Sequence, residues 1–461
     1  MCLHGIGRDT CFVYPIIMHT LEQLRAGQLA GITRLTLSQG LRTFPEEIFS
    51  LADTLEILDL SGNELASLPD DLPRLHKLRV LFCSDNAFTR LPEVLGRCEQ
   101  LEMIGFKSNR IQEVPGASLP SMLRWLILTN NNLESVPDEL GRCARLQKLM
   151  LAGNRLRSLP QALGNCSRLE LLRIAANQLE AFPEWIGSLP RLSWLAYAGN
   201  PCCQQRERVL LNDSPIRTIA WQELELQQQL GAGASGVIHR AVWQGQEGVR
   251  EVAVKMFKGD VTSDGFPLSE MAGCIAAGSH PNLIGVLGKL SGHPEEKAGL
   301  VMELVPAHYH VLADPPSLAS CTRDVYREGQ ELLPAQVVRM ALGVAEVAQH
   351  LHANGLMHGD LYAHNILHDE NGHALLGDFG AASSIPGNWQ RETLALQRIE
   401  VRAYGCLLEE LLTQCDWTGS ALRPLHDRLA TLQLRCVSDI PAERPPFAEV
   451  VRELRGISLS F

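Results

Sequence analysis

A chain of 461 residues is too long for one ordinary core and predicts two or three domains. With 45% hydrophobic and 20% charged residues it is neither a disordered chain nor a collagen-like fibre. A formal net charge of -11 gives no long-range attraction for nucleic-acid phosphates or anionic lipid, so neither is expected as a partner.

Thirteen cysteines, an odd number without a short-range framework, point to a reducing compartment, and a cytoplasmic location is expected. The first apolar run, Cys11 to Met18, contains Pro15, is too short to span a bilayer and lacks a small-residue cleavage site. Met18 immediately precedes the first patterned segment, which makes residues 1–17 a candidate spurious upstream extension; residues 1–20 are set apart on that ground.

From there the phrase L-x-x-L-x-L-x-x-N-x-L recurs, starting at Leu55, Leu78, Leu101, Leu123, Leu146, Leu169 and Leu192. Its asparagines, Asn63, Asn86, Asn109, Asn131, Asn154, Asn177 and Asn200, are spaced by 23, 23, 22, 23, 23 and 23 residues. Regularity of this kind marks a solenoid. Each unit reads as a short strand with inward leucines, a turn whose Asn bonds unpaired backbone groups, and a Leu-Pro or Phe-Pro step into a return segment. The pattern resembles the leucine-rich repeat family in its short cytoplasmic form, with an irregular first copy at Ile32, Leu35, Leu37 and Gly40 as the N-terminal cap. Cys98, Cys143 and Cys166 share the repeat context and are expected as core thiols rather than metal ligands. Alternation along the strand places Ile57, Val80, Met103, Trp125, Lys148, Leu171 and Trp194 on the concave face, with Phe82, Ile127 and Met150 at the next outward position. That apolar stripe predicts a docking face for a protein partner or for the second half of the chain.

The period stops after Asn200, and the polar stretch 204–220, with Pro215 inside it, is expected as a linker. No run of about 20 apolar residues occurs there or elsewhere, which argues against a membrane-spanning receptor.

The second half contains groups suited to phosphoryl transfer, in one order. Gly231, Ala232, Gly233, Ala234, Ser235, Gly236 and Val237 form G-x-G-x-x-G-V between two strand-like segments, a turn whose glycines let backbone cover phosphates. Alone that motif also fits a plain hairpin turn. It is followed by the strand Val252-Ala-Val-Lys255, then by Glu270, fifteen residues after Lys255 and ten before His280. Leu300-Val-Met-Glu-Leu-Val305 comes next, and Met357-His-Gly-Asp360-Leu-Tyr-Ala-His-Asn365 precedes Asp378-Phe-Gly380. Glu400 to Leu412 and Pro441 to Val450 complete the order.

This order resembles the eukaryotic-type protein kinase family from about Trp221 to Leu454, its last two stretches resembling the family's buried and closing helical segments. The resemblance implies ATP and Mg²⁺ as cofactors, with the glycine loop over the phosphates and Lys255 on the α- and β-phosphates, steered by Glu270. It implies adenine bonds from the backbone of Glu303 and Val305 beside Met302. Asp360 would orient the substrate hydroxyl and accept its proton, while Asn365 and Asp378 would hold the metal.

The chain departs from that family in four places. Gly359 stands where an arginine usually reads a phosphate on the activation loop, so control by loop phosphorylation is not expected. Only 22 positions separate Asp378 from Glu400 and the Ala-Pro-Glu phrase is missing, which shortens the platform for a peptide and leaves Arg444 without its usual partner. Glu400 replaces an aspartate. Tyr362 occupies the place of the lysine usual in Ser/Thr members, and the loop matches neither acceptor type cleanly; Ser/Thr is favoured for want of tyrosine-kinase marks.

The expected architecture has two domains, an α/β leucine-rich-repeat solenoid at 21–203 and a bilobal α+β protein kinase fold at 221–461, joined by the linker 204–220. The expected function is transfer of the ATP γ-phosphate to a protein hydroxyl, with the repeats recruiting partner or substrate. The alternatives are a pseudokinase scaffold, motivated by the short activation segment, and phosphorylation of a small molecule.

Overall fold

The computed structural model describes residues 18–212, 216–233, 235–245, 248–259, 261–262, 264–385 and 390–458. The candidate extension 1–17 and Ala234 of the glycine loop lie outside them. The described chain divides into two compact units, 18–192 and 193–458, a division that falls within the last sequence repeat.

The first unit opens on a capping box. Thr20 Oγ1 accepts the Gln23 N–H at 3.1 Å and Gln23 Oε1 accepts the Thr20 N–H at 2.9 Å, which starts α1, Leu21–Arg25. Seven three-residue strands follow: β1 Arg34–Thr36, β2 Ile57–Asp59, β3 Val80–Phe82, β4 Met103–Gly105, β5 Trp125–Ile127, β6 Lys148–Met150 and β7 Leu171–Arg173, each parallel to the next. Alternation along a strand turns its middle residue inward, and Leu35, Leu58, Leu81, Ile104, Leu126, Leu149 and Leu172 are all 0% exposed.

Each asparagine ties one rung to the one before. Asn154 Oδ1 accepts the Leu133 N–H at 3.0 Å, and its Nδ2 donates to the carbonyls of Leu128 and Leu151, both at 2.9 Å. The residue before each asparagine turns left-handed: Gly62, Asp85, Ser108, Asn130, Gly153 and Ala176 have φ between 52° and 72°. Glycine takes this conformation freely, whereas Ala176 takes it at a cost of about 1 kcal/mol, offset by the asparagine bonds it positions. Return segments start after Pro45, Pro92, Pro115, Pro137, Pro160 and Pro183 as short 3₁₀ turns.

The concave stripe is less open than its composition predicts. Val80, Met103, Trp125, Lys148 and Leu171 are buried, and Ile57, Ile127 and Met150 are half-buried. Large side chains on adjacent rungs cover one another: Lys148 Nζ lies 4.3 Å from the Trp125 ring centroid, and Phe82 lies across Gly105, where a Cβ would be 2.4 Å from its ring. Cys98, Cys143 and Cys166 are buried as expected, and burial pushes their thiols up to about 11, 11 and 12.

The second unit begins with β8, Trp194–Ala196, and helix α2, Pro201–Asn212. The expected linker is therefore structured: its first half lies in α2 and its second half contains β9, Thr218–Ala220. The pattern hides this because the polar run carries isolated buried positions, Glu207 in α2 and the fully buried Ile219 in β9.

One lobe is a sheet in the order β10-β11-β12-β14-β13-β9, formed by β10 Leu224–Ala232, β11 Gly236–Gly245, β12 Gly248–Phe257, β13 Val286–Ser291 and β14 Gly299–Glu303 with β9. Helix α3, Pro267–Ala277, connects β12 to β13, and the sheet encloses Ile219, Trp243, Val252, Val254, Leu290 and Val301. After β15, His310–Val311, the other lobe is mostly helical: α4 Pro334–Ala353, α5 Gln390–Thr413, α6 Arg423–Cys436 and α7 Phe447–Ser458. Between α4 and α5 run four short strands, β16 Leu356–Met357, β17 Ile366–His368, β18 Ala374–Leu376 and β19 Ser383–Ser384. The sheet β15-β17-β18 and the pair β16-β19 fix the loops between these strands. No described helix is long and apolar enough to cross a membrane.

Candidate active site

The site lies where the two lobes of the second unit meet. The loop between β10 and β11 is closed by the Gly233 N–H donating to the Gly236 carbonyl at 2.8 Å. A Cβ on Gly236 would sit 2.5 Å from the Met256 carbonyl oxygen, so only glycine lets the loop approach β12 this closely. Gly231 and Ala232 pair with Ile238 and Val237 across the hairpin.

Lys255 leaves β12 toward α3 and forms an ion pair with Glu270, their side chains 13% and 2% exposed. Burial disfavours the Lys255 ammonium, but Glu270 and then Asp378 outweigh it and hold the lysine firmly charged. The three residues that the motifs singled out separately thus share one field. At the end of β14 the Glu303 N–H donates to the Gly285 carbonyl at 2.8 Å and the Glu303 carboxylate pairs with Arg250 at 2.9 Å, so the Glu303 N–H is already engaged. A cavity of about 340 Å³ adjoins this hinge, lined by His280, Ile284, Val305 and Leu375.

Between β16 and β17 the loop is braced from several sides. His358 Nε2 lies 2.9 Å from the Gly377 carbonyl, and its ring meets Phe379 edge-on at 5.0 Å. Asn365 Nδ2 donates to the Asp360 carbonyl at 2.9 Å and to its Oδ2 at 3.1 Å, which aims the carboxylate. The Gly377 N–H donates to the Asn365 carbonyl at 2.9 Å, bringing Asn365 beside the turn that carries Asp378. Asp378 is left-handed, with φ 51°, and its Oδ1 accepts the Gly380 N–H at 3.1 Å. Phe379 packs beneath α3 at Gly273, where a Cβ would lie 3.8 Å from it. A carboxamide oxygen and carboxylates form the all-oxygen donor set that suits Mg²⁺, which takes part of its shell from phosphate and water. Among the described residues no group of three or more His, Cys, Asp or Glu is placed to hold a metal ion.

A family profile described as protein tyrosine and serine/threonine kinase matches residues 224–411, and leucine-rich repeat profiles match 54–75 and 121–179. The chain joins leucine-rich repeats to a protein kinase domain. It is similar to a probable serine/threonine-protein kinase of Dictyostelium discoideum (25% identity, 50% of this chain and 16% of the relative). It is also similar to the megakaryocyte-associated tyrosine-protein kinase of Mus musculus (30%, 52% and 51%). A third relative is a probable serine/threonine-protein kinase of Arabidopsis thaliana (27%, 52% and 25%). The chain thus spans about half or less of the length of these curated relatives.

Several contacts of the kinase domain have no signal in its motifs. Glu400, in α5, accepts the Gly359 N–H at 2.8 Å, and its other oxygen lies 2.7 Å from His352 Nε2. The longer acid therefore does reach the loop between β16 and β17. Burial opposes its ionisation, but His352, His358 and the Gly359 N–H hold its carboxyl below the ordinary range. His364 lies 2.7 Å from Asp324; burial disfavours the imidazolium, and Asp324 outweighs that and raises its pKa. Arg444 donates to the carbonyls of Ser438 at 2.9 Å and Arg398 at 3.1 Å, which answers where its guanidinium goes without the usual glutamate. Burial brings its pKa down to about 10. The Lys255–Glu270 pair is foreseen from the family resemblance, whereas His352 with Glu400 and Asp324 with His364 are brought together by α4, α5 and a loop without periodicity.

Proposed function

We propose that the domain transfers the γ-phosphate of Mg-ATP to a hydroxyl of a protein, with serine or threonine favoured as acceptor. The observation that carries this reading is the buried Lys255–Glu270 pair facing Asp378, together with an Asp360 carboxylate aimed by Asn365. Residues 231–237 would cover the phosphates, Lys255 would hold the non-transferred ones, and Glu303 and Val305 would bind adenine through their backbone. Asn365 and Asp378 would hold Mg²⁺, which when bound neutralises charge on the phosphates. Asp360 takes the proton of the acceptor hydroxyl as that oxygen bonds to the γ-phosphorus, while the bond from phosphorus to the β–γ bridging oxygen breaks and ADP leaves. The repeats, whose kind offers extended concave surfaces, recruit the partner or substrate through positions such as Ile127 and Met150. A cytoplasmic location agrees with the thiols, since every cysteine among the described residues is free.

A start of α5 at Gln390 favours a second reading, a scaffold without turnover, because little chain is left to grip a peptide. Autophosphorylation with γ-labelled ATP and Mg²⁺, followed by phosphoamino-acid analysis, decides between them. The intact chain is expected to incorporate label on serine or threonine, and Asp360→Asn and Lys255→Met to lose it by about 10²-fold or more. ATP binding without label would establish the scaffold, and label on a small molecule alone would move the acceptor away from protein.

A further inference from the structure

Several contacts tie the stretch that opens the kinase unit to the loop that carries Asp360. The Leu195 N–H donates to the Gly359 carbonyl at 3.1 Å. A Cβ on Gly359, whose φ is +75°, would lie 2.5 Å from the Leu195 carbonyl oxygen and 2.6 Å from that of Ala381. The glycine in place of the phosphate-reading arginine is thus what allows the chain this close to the loop. Trp194 then stacks on Tyr362, with centroids 4.2 Å apart and planes 6° from parallel, and its Nε1 donates to the Leu361 carbonyl at 3.2 Å. Both rings are almost fully buried, at 1% and 4% exposure, and Leu361 and Tyr362 directly follow Asp360.

The same stretch reaches the segment after Asp378 and the helix that carries Glu270. Ser383 Oγ accepts the N–H groups of Tyr197 and Ala198, both at 3.1 Å, and the Tyr197 hydroxyl donates to the Ser384 carbonyl at 3.4 Å. In α2, one Glu207 oxygen accepts the Gly199 N–H at 2.9 Å and the other the Ser269 hydroxyl at 3.0 Å, next to Glu270 in α3. Glu207 and Ser269 are both buried, 9% and 6% exposed.

Phosphoryl transfer in this class requires the lysine–glutamate pair, the metal-binding aspartate and the catalytic loop to be in place together, and a phosphorylated activation loop commonly secures that. Here one covalently attached stretch bonds to α3 at Ser269, to Ser383 and Ser384 in the segment after Asp378, and to the loop at Gly359 and Leu361, and the arginine that would read such a phosphate is absent. We infer that residues 193–212 are a built-in activating clamp, in which Trp194 and Glu207 are positioning residues that hold the catalytic loop and α3 so that turnover needs no loop phosphate. The inference rests on the kinase reading above.

The test uses the full chain, phosphatase-treated and then freed of phosphatase, with initial autophosphorylation rates measured across Mg-ATP concentrations. Wild type is expected to start without a lag. Trp194→Ala should lower the maximal rate about tenfold or more while the ATP KM stays within about threefold, the pattern of a displaced catalytic loop. Trp194→Phe, which keeps a ring to stack on Tyr362 but loses the N–H donation and part of the indole's area, should recover most of the rate and also serves if the alanine variant fails to fold. Glu207→Gln should lower the rate and raise the ATP KM, because α3 sets the glutamate that steers Lys255. Unchanged or faster turnover in Trp194→Ala overturns the clamp, and faster turnover would make the stretch an inhibitor. A lag or loss of activity after phosphatase overturns it too. If the intact chain transfers no phosphate, the kinase reading fails and amide hydrogen exchange judges the clamp alone. Exchange must then quicken over 356–366 in Trp194→Ala and over 268–277 in Glu207→Gln, and unaltered exchange in both sinks the inference.

Discussion

Glu400 shows how much one side chain can hold. Its two oxygens serve the Gly359 N–H and His352, joining α5 to the loop between β16 and β17 and to α4. Because its pKa is lowered from 4.5 on folding, its ionised form adds stability above the unfolded value, and that increment is lost as pH falls through the folded one. Glu400→Gln should therefore cost on the order of 1–2 kcal/mol in urea unfolding at pH 7, with the difference from wild type closing below about pH 4.5. A difference that stays constant with pH would mean that the charge contributes nothing. The sequence marks Glu400 as a replacement for an aspartate, yet whether a longer acid still reaches the loop depends on where α5 lies. Arg444 is similar: its lost partner is visible in the sequence, and the carbonyls that take its place are not, since any residue supplies a carbonyl.

At the scale of elements the repeats were the most legible part of the chain. A strand whose central residue must be apolar and a turn whose side chain must bond backbone leave a strict period, and seven asparagines record it. Asn154 is buried and satisfies three backbone groups by itself, so Asn154→Ala should destabilise the repeat unit by about 3 kcal/mol. The expected sign is a lower urea midpoint with an unchanged slope of free energy against urea. A midpoint within error of wild type would show that water replaces the asparagine without loss. The stretch 204–220 was illegible for the opposite reason. Helix α2 carries no periodic apolar face and is held by single contacts such as Glu207 to Ser269, which no local pattern records. The left-handed turns were only half visible, as Gly62 and Gly153 announce them and Ala176 does not.

For the whole molecule the unit boundary at Ser193 has a direct consequence. A kinase fragment beginning at residue 193 keeps Trp194 and Tyr197, both 1% exposed, whereas one beginning at 204, where the repeats end by sequence, loses them. Removing two such side chains should lower the Tm of the shorter fragment by roughly 10 °C relative to the longer one. Equal thermal unfolding of the two would place the working boundary back at 203. By itself, the sequence determined the two architectures, their order and the candidate phosphate-transfer residues, because period, spacing and motif order are local properties that chemistry imposes on neighbouring positions. Only the tertiary structure decided where one unit ends and the other begins, how Glu400 and Arg444 find partners, and which stretch lies against the catalytic loop. Those contacts join residues far apart in the chain through backbone carbonyls, single hydroxyls and one stacked pair of rings, and such partners leave no repeat or spacing to be read.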